Sequence, residues 1–149
     1  MTVYLRSAIQ QLASYAQGTG LFPGGVVVGE PKAPPADLSA ALMLGDRYVP
    51  ELTLTTTIES RDLLLRVYIN AFREPPEEIE YDMDHVLADL LTAFAGDFDL
   101  SGAGSAQVRA FEPSTFRVRM GYQTVAQTVY RIADVSFSLT VDDSASLVA

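Results

Sequence analysis

The stretch RDLLLRVYINAFREPPEEIEYDMDHVLADLLTAF, residues 61–94, contains a strand, a stop and a helix in succession. Leu63, Leu65, Val67, Ile69 and Ala71 alternate with Leu64, Arg66, Tyr68, Asn70 and Phe72, the period of a strand whose successive side chains point to opposite faces. Pro75 and Pro76 end that pattern, because proline donates no backbone hydrogen bond and biases the residue before it against helix. Pro76 still suits the first helical position, where its N–H would lack a partner in any case. Beyond it Ile79, Met83, Val86, Leu87, Leu90, Leu91 and Phe94 recur at steps of three and four, with Gly96 as the stop. A strand and a helix of this kind cover each other and begin a two-layer core.

Outward from this unit, residues 1–17 predict a first helix capped by Thr2, with Leu5, Ala8, Ile9, Leu12, Tyr15 and Ala16 on its apolar side and Gly18 at C′. Pro23-Gly24-Gly25 is a turn, 26–28 a short strand, 30–35 extended, and 38–44 a strand apolar on both faces. The threonine-rich 52–58 suits a protruding hairpin or arm, since sparsely apolar strands make poor core. Residues 97–105 form a loop, followed by strands at 106–111, 116–122 and 129–141. In the last of these Ala133, Val135, Phe137, Leu139 and Val141 alternate with Asp134, Ser136, Ser138 and Thr140, so one sheet face is buried and the other wet. Helix, strands, helix, strands predict an α+β fold: a mostly antiparallel sheet with two helices on one face and a protruding hairpin. The 149 residues fit one domain, with 144–149 as a loose tail.

Composition narrows the function classes. Hydrophobic residues make up 48% of the chain, which fits a folded globule rather than a disordered segment. No run is long and apolar enough to span a bilayer, and the opening MTVYLRSAIQQL lacks the pattern of a secretory signal. Cysteine is absent, which excludes disulfides and thiolate metal sites. A formal net charge of −9 argues against a dedicated DNA reader. The charge is segregated. Glu74, Glu77, Glu78, Glu80, Asp82, Asp84, Asp89, Asp97 and Asp99 occupy 74–99 without a lysine or arginine, whereas 105–131 carries Arg109, Arg117, Arg119 and Arg131 against Glu112 alone. The bland reading is a solvated helix face with acids at the helix N-terminus. The sharper one is two complementary patches that meet between copies.

Motifs for chemistry are weak. Gly24 to Gly29 has the glycine separation of a phosphate loop, but Glu30-Pro31 stands where lysine and serine or threonine belong. Asp82, Asp84 and His85 do not share one helix side, and one imidazole with scattered acids makes a poor metal site. The series at Asp97, Asp99 and Ser101 is too short for calcium. No acid pair is singled out for hydrolysis, and no nucleophile elbow is present. A non-enzymatic protein without cofactor or metal is expected; a small acid-dependent hydrolase and a module that accepts a peptide strand at its sheet edge are the rivals.

Five features in order carry a resemblance to a family: an N-terminal helix leading to Gly20-Leu21-Phe22; Gly29-Glu30-Pro31-Lys32-Ala33-Pro34 before Ser39-Ala40-Ala41; Arg66-Val67-Tyr68-Ile69 with Glu74-Pro75; Ala95-Gly96-Asp97-Phe98-Asp99-Leu100; and Gly121-Tyr122 with Tyr130-Arg131-Ile132. The chain resembles the tail terminator proteins of long-tailed, siphovirus-type bacteriophages, especially those infecting actinobacteria. It departs from the pattern at Gln123-Thr124-Val125-Ala126, where a hairpin turn with glycine or asparagine is expected. The resemblance implies a virion protein of the tail and neck, assembled in the host cytoplasm. Copies would form a six-fold ring at the head-proximal end of the tail tube, stop its growth and join it to the head connector, with DNA passing through an acidic lumen unread. A neck head-completion protein is the neighbouring alternative. The subunit or partner interface expected on this reading comprises Glu74, Glu77, Glu78, Asp82, Arg109, Arg117, Arg119 and Arg131.

Overall fold

Two long strands with matching alternation form the centre of the molecule. The computed structural model describes residues 6–52, 57–96, 108–111 and 116–142. In chain order these are α1 (Arg6–Gly18), β1 (Val26–Val28), β2 (Ser39–Leu52), β3 (Thr57–Asn70), α2 (Pro76–Gly96), β4 (Val108–Phe111), β5 (Arg117–Val125) and β6 (Thr128–Asp142). The sheet runs β1-β2-β3-β6-β4, with β5 also paired to β6. Among the described strands β1–β2 is parallel and the other pairings are antiparallel. Because β6 is the longest strand, its side away from β3 accepts β5 along residues 128–136 and β4 at Leu139 and Val141.

The core follows from the two periods. Leu63, Leu65, Val67 and Ile69 of β3 share one face with Ala133, Val135, Phe137 and Leu139 of β6, and all are buried under Ile79, Met83, Val86, Leu90 and Phe94 of α2 and Leu12 and Ala16 of α1. A strand repeats its facing every second residue and a helix every three or four, so these patterns can meet across one layer boundary. Both helices therefore lie on the same face. Tyr15 joins them: its ring meets Phe94 edge-on at 5.4 Å, and its hydroxyl donates to the Ala93 carbonyl at 3.0 Å. At the C-terminus of α1 the left-handed residue is Gly20, at φ +75°, and Gly18 is still helical.

β2 runs further than its sequence pattern. It continues through Gly45 and Pro50 to Leu52, with register shifts between Leu44 and Arg47 and between Tyr48 and Glu51. At each shift β2 advances three residues while β3 advances two, the count of a β-bulge. β1 covers the outer side of β2 only from Ala40 to Leu42. Pro50 thus falls at a bulge on an edge, where a missing N–H is tolerated. The hairpin expected around 52–58 is the far end of β2–β3. Its tip, 53–56, lies outside the described residues, and β3 stays paired with β6 as far as Ile58 and Asp142.

The β5–β6 turn is a two-residue connection in which Ala126 and Gln127 both have positive φ, 48° and 68°. Two left-handed residues match the twist of a hairpin, and the position ordinarily takes Asn-Gly. Here the backbone adopts that geometry without the residues that favour it, at a cost of about 1–2 kcal/mol for each. Ala126→Asn combined with Gln127→Gly should therefore stabilise the protein by roughly 1–2 kcal/mol, raising the melting temperature by several degrees in a circular-dichroism scan. A lower melting temperature would contradict this turn geometry.

Candidate interaction surface

The acidic side begins where β3 turns into α2. The Glu74–Pro75 peptide is cis, and Pro76 opens the helix with Glu77 and Glu78 in its first turn, where carboxylates offset the exposed N–H groups and the helix dipole. Glu74, Glu77 and Glu78 are exposed and make no ion pair among the described residues. Asp82 differs: it accepts Arg73 at 2.9 Å, and Arg73 also lies 3.7 Å from Asp37. Asp37 in turn accepts the backbone N–H of Asn70 at 3.1 Å. Asp82 therefore braces the loop between β3 and α2 within its own chain.

Arg131 is committed in the same way. It projects from β6 on the helix side, grips Glu80 through Nε at 2.9 Å and Nη2 at 3.3 Å, donates to the Gly121 carbonyl at 3.1 Å and stacks 4.7 Å from the Tyr122 ring centre. This bidentate contact docks α2 against the β5–β6 hairpin. Because Glu80 is half exposed, the pair contributes at most about 1 kcal/mol. Arg109 lies in β4, and its side chain lies outside the described residues. His85 pairs with Asp89 at 3.1 Å along the outer helix, and among the described residues no group of three side chains could hold a metal ion.

Arg117 and Arg119 point the other way. Arg117 lies opposite Ser136 and Arg119 opposite Asp134, so both sit on the sheet face away from the helices. One half of that face has its own small core of Ala41, Tyr68, Tyr130 and Ile132. The tyrosine rings meet edge-on at 5.7 Å, and the Tyr130 hydroxyl donates to the Pro35 carbonyl at 2.7 Å, tying the proline-rich segment onto the sheet. The other half is a trough of about 820 Å³ whose lining includes Gly45, Asp62, Leu64, Arg117, Arg119, Asp134, Ser136 and Ser138. Its acids are already engaged. Asp134 accepts Arg66 bidentately at 2.6 and 3.1 Å, and Arg66 also donates to Gln123 at 3.1 Å. The Ser138 hydroxyl donates to Asp62. Arg117 and Arg119 are exposed and unpaired among the described residues.

Of the eight interface residues expected from the sequence, the structure thus leaves Glu74, Glu77, Glu78, Arg117 and Arg119 open, on opposite sides of the subunit, and engages Asp82 and Arg131 internally. The Arg66–Asp134 pair joins residues 68 apart. Alternation places each on a wet face, but only strand register brings them together. No model of a known protein family matches the chain, and none of the curated proteins compared with it matches. No helix among the described residues is long and apolar enough to cross a membrane.

Two outcomes follow from this face. The Arg66 and Asp134 side chains are only 17% and 21% exposed, so Asp134→Ala strands a largely buried cation and should cost about 2–3 kcal/mol in urea denaturation; a loss below about 0.5 kcal/mol, the level of a surface substitution, would show the pair to be incidental. Burial pushes the Tyr68 phenol above its ordinary value of 10.0, against the opposing hydrogen bond from Arg66. A raised folded pKa gives stability that is complete below the unfolded value and lost as pH climbs through the folded one. As pH rises past about 10 the native chain should lose more stability than Tyr68→Phe does, and equal losses would refute the assignment.

Proposed function

We propose that this protein is a virion structural protein of a long-tailed bacteriophage, a tail terminator whose copies close into a ring at the head-proximal end of the tail tube. The reading rests on the resemblance described above, which spans most of the chain in order. The observation that carries it further is the placement of unmatched charge: Arg117 and Arg119 on the open sheet face, and Glu74, Glu77 and Glu78 on the helix side. A two-fold contact through either surface would oppose like charges. A head-to-tail contact pairs them, and such contacts close into rings when the rotation between copies divides the circle. The ring would cap the tail tube protein on one side and seat the head connector on the other. The net charge of −9 favours a lumen that repels DNA rather than holding it.

Mass in solution, with and without tail tube protein, tests the reading. At physiological salt the native chain should assemble, and Arg117→Glu with Arg119→Glu should weaken assembly by about tenfold or more, since like charges brought together cost several kcal/mol. A persistent monomer that ignores tubes would overturn it, whereas a ring indifferent to the double reversal would overturn only the pairing of these charges.

A further inference from the structure

Given that ring reading, on which this inference rests, two uncovered surfaces of the subunit differ in shape. The first is a knob at the start of α2. Tyr81 is 64% exposed, and Glu77 and Glu78, four and three residues before it on the helix, are unpaired among the described residues. Large aromatic rings held in water next to charged groups are the usual anchors of protein contacts. The second is the trough on the open face. At about 820 Å³ it has the capacity of a ligand-sized cleft, enough for an aromatic side chain and part of a helical turn.

The charges agree with the shapes. In the trough Asp134 is neutralised by Arg66 and Asp62 is held by Ser138, so Arg117 and Arg119 outnumber the acid left to oppose them. On the knob, two carboxylates outweigh the roughly half unit of positive charge at a helix N-terminus. We infer that the α2 knob of one copy seats in the open-face trough of the next, with Tyr81 on the trough floor and Glu77 and Glu78 against Arg117 and Arg119. Knob and trough lie on opposite sides of the sheet, so each copy gives one and receives one, the heterologous arrangement that a ring requires.

The cysteine-free chain allows a direct test. Tyr81→Cys and Ser136→Cys lie in different layers with the sheet between them, so they cannot form a disulfide within one chain. Oxidation of the double variant with diamide should give a ladder of covalent species up to the full ring, and either single variant should give at most dimers. Arg117→Glu/Arg119→Glu, or Glu77→Arg/Glu78→Arg, should each cut the ladder by about tenfold or more, and the four changes together should restore it. Far-UV circular dichroism checks folding, and Glu78→Cys with Arg119→Cys replaces the first pair if that pair misfolds. Assembly seen by light scattering without a ladder would overturn this seat and leave the ring standing. A native chain that is monomeric by light scattering, with no ladder from the variants, would overturn both.

Discussion

The antiparallel ladder between β3 and β6 is the constraint on which the other elements depend. It runs without a register shift from Ile58 opposite Asp142 to Asn70 opposite Tyr130. That register puts the Leu63–Ile69 and Ala133–Leu139 alternations on one face, beneath both helices. It also puts Arg66 opposite Asp134 and Asp62 opposite Ser138 on the other. A slip of one residue in either strand would turn its leucines, valines and phenylalanine to water and drive arginine and aspartate under the helices. The apolar core and the polar face thus enforce the same alignment.

The asymmetry of the subunit grows from that ladder. Helices cover one face completely enough to bury Leu65, Met83 and Phe137, while among the described residues the other face is covered at one end, where the Tyr130–Pro35 hydrogen bond ties down the proline-rich segment. α2 is held in place by packing and, more weakly, by its ion pairs Arg131–Glu80 and Arg73–Asp82. These pairs absorb part of a charge segregation that, read along the chain, looks wholly available to neighbours. Glu77 and Glu78 on α2 and Arg117 and Arg119 on the open face lie on opposite sides of the sheet, the feature on which the proposed head-to-tail ring depends.

Much of this could be read in the residues because the relevant signals are local. The alternation in β3 and β6, the proline stop at Pro75-Pro76 and the three- and four-residue spacing from Ile79 to Phe94 each lie within one element, and the strand, the helix and their facing sides appear where they predict. The misses share a different cause. The strand expected at 38–44 runs on through Gly45 and Pro50 to Leu52, because bulges on an edge accommodate both. Ala126 and Gln127 lack any turn signature, yet the pairing of β5 with β6 leaves them a two-residue connection. Gly18 looks like the helix stop, yet Gly20 makes the reversal.

The candidate surface divides along the same line. By itself the sequence determined which residues are charged and, through strand period, that Arg117 and Arg119 turn away from Val118 and Met120. Only the tertiary structure decided that Arg131 and Asp82 are engaged within the chain, that Asp134 belongs to Arg66, and that a trough opens beside the two free arginines. The physical reason is that a side chain's facing depends on its own element, whereas its partner depends on the register between segments far apart in sequence, set here by the burial of both core-facing rows beneath the helices.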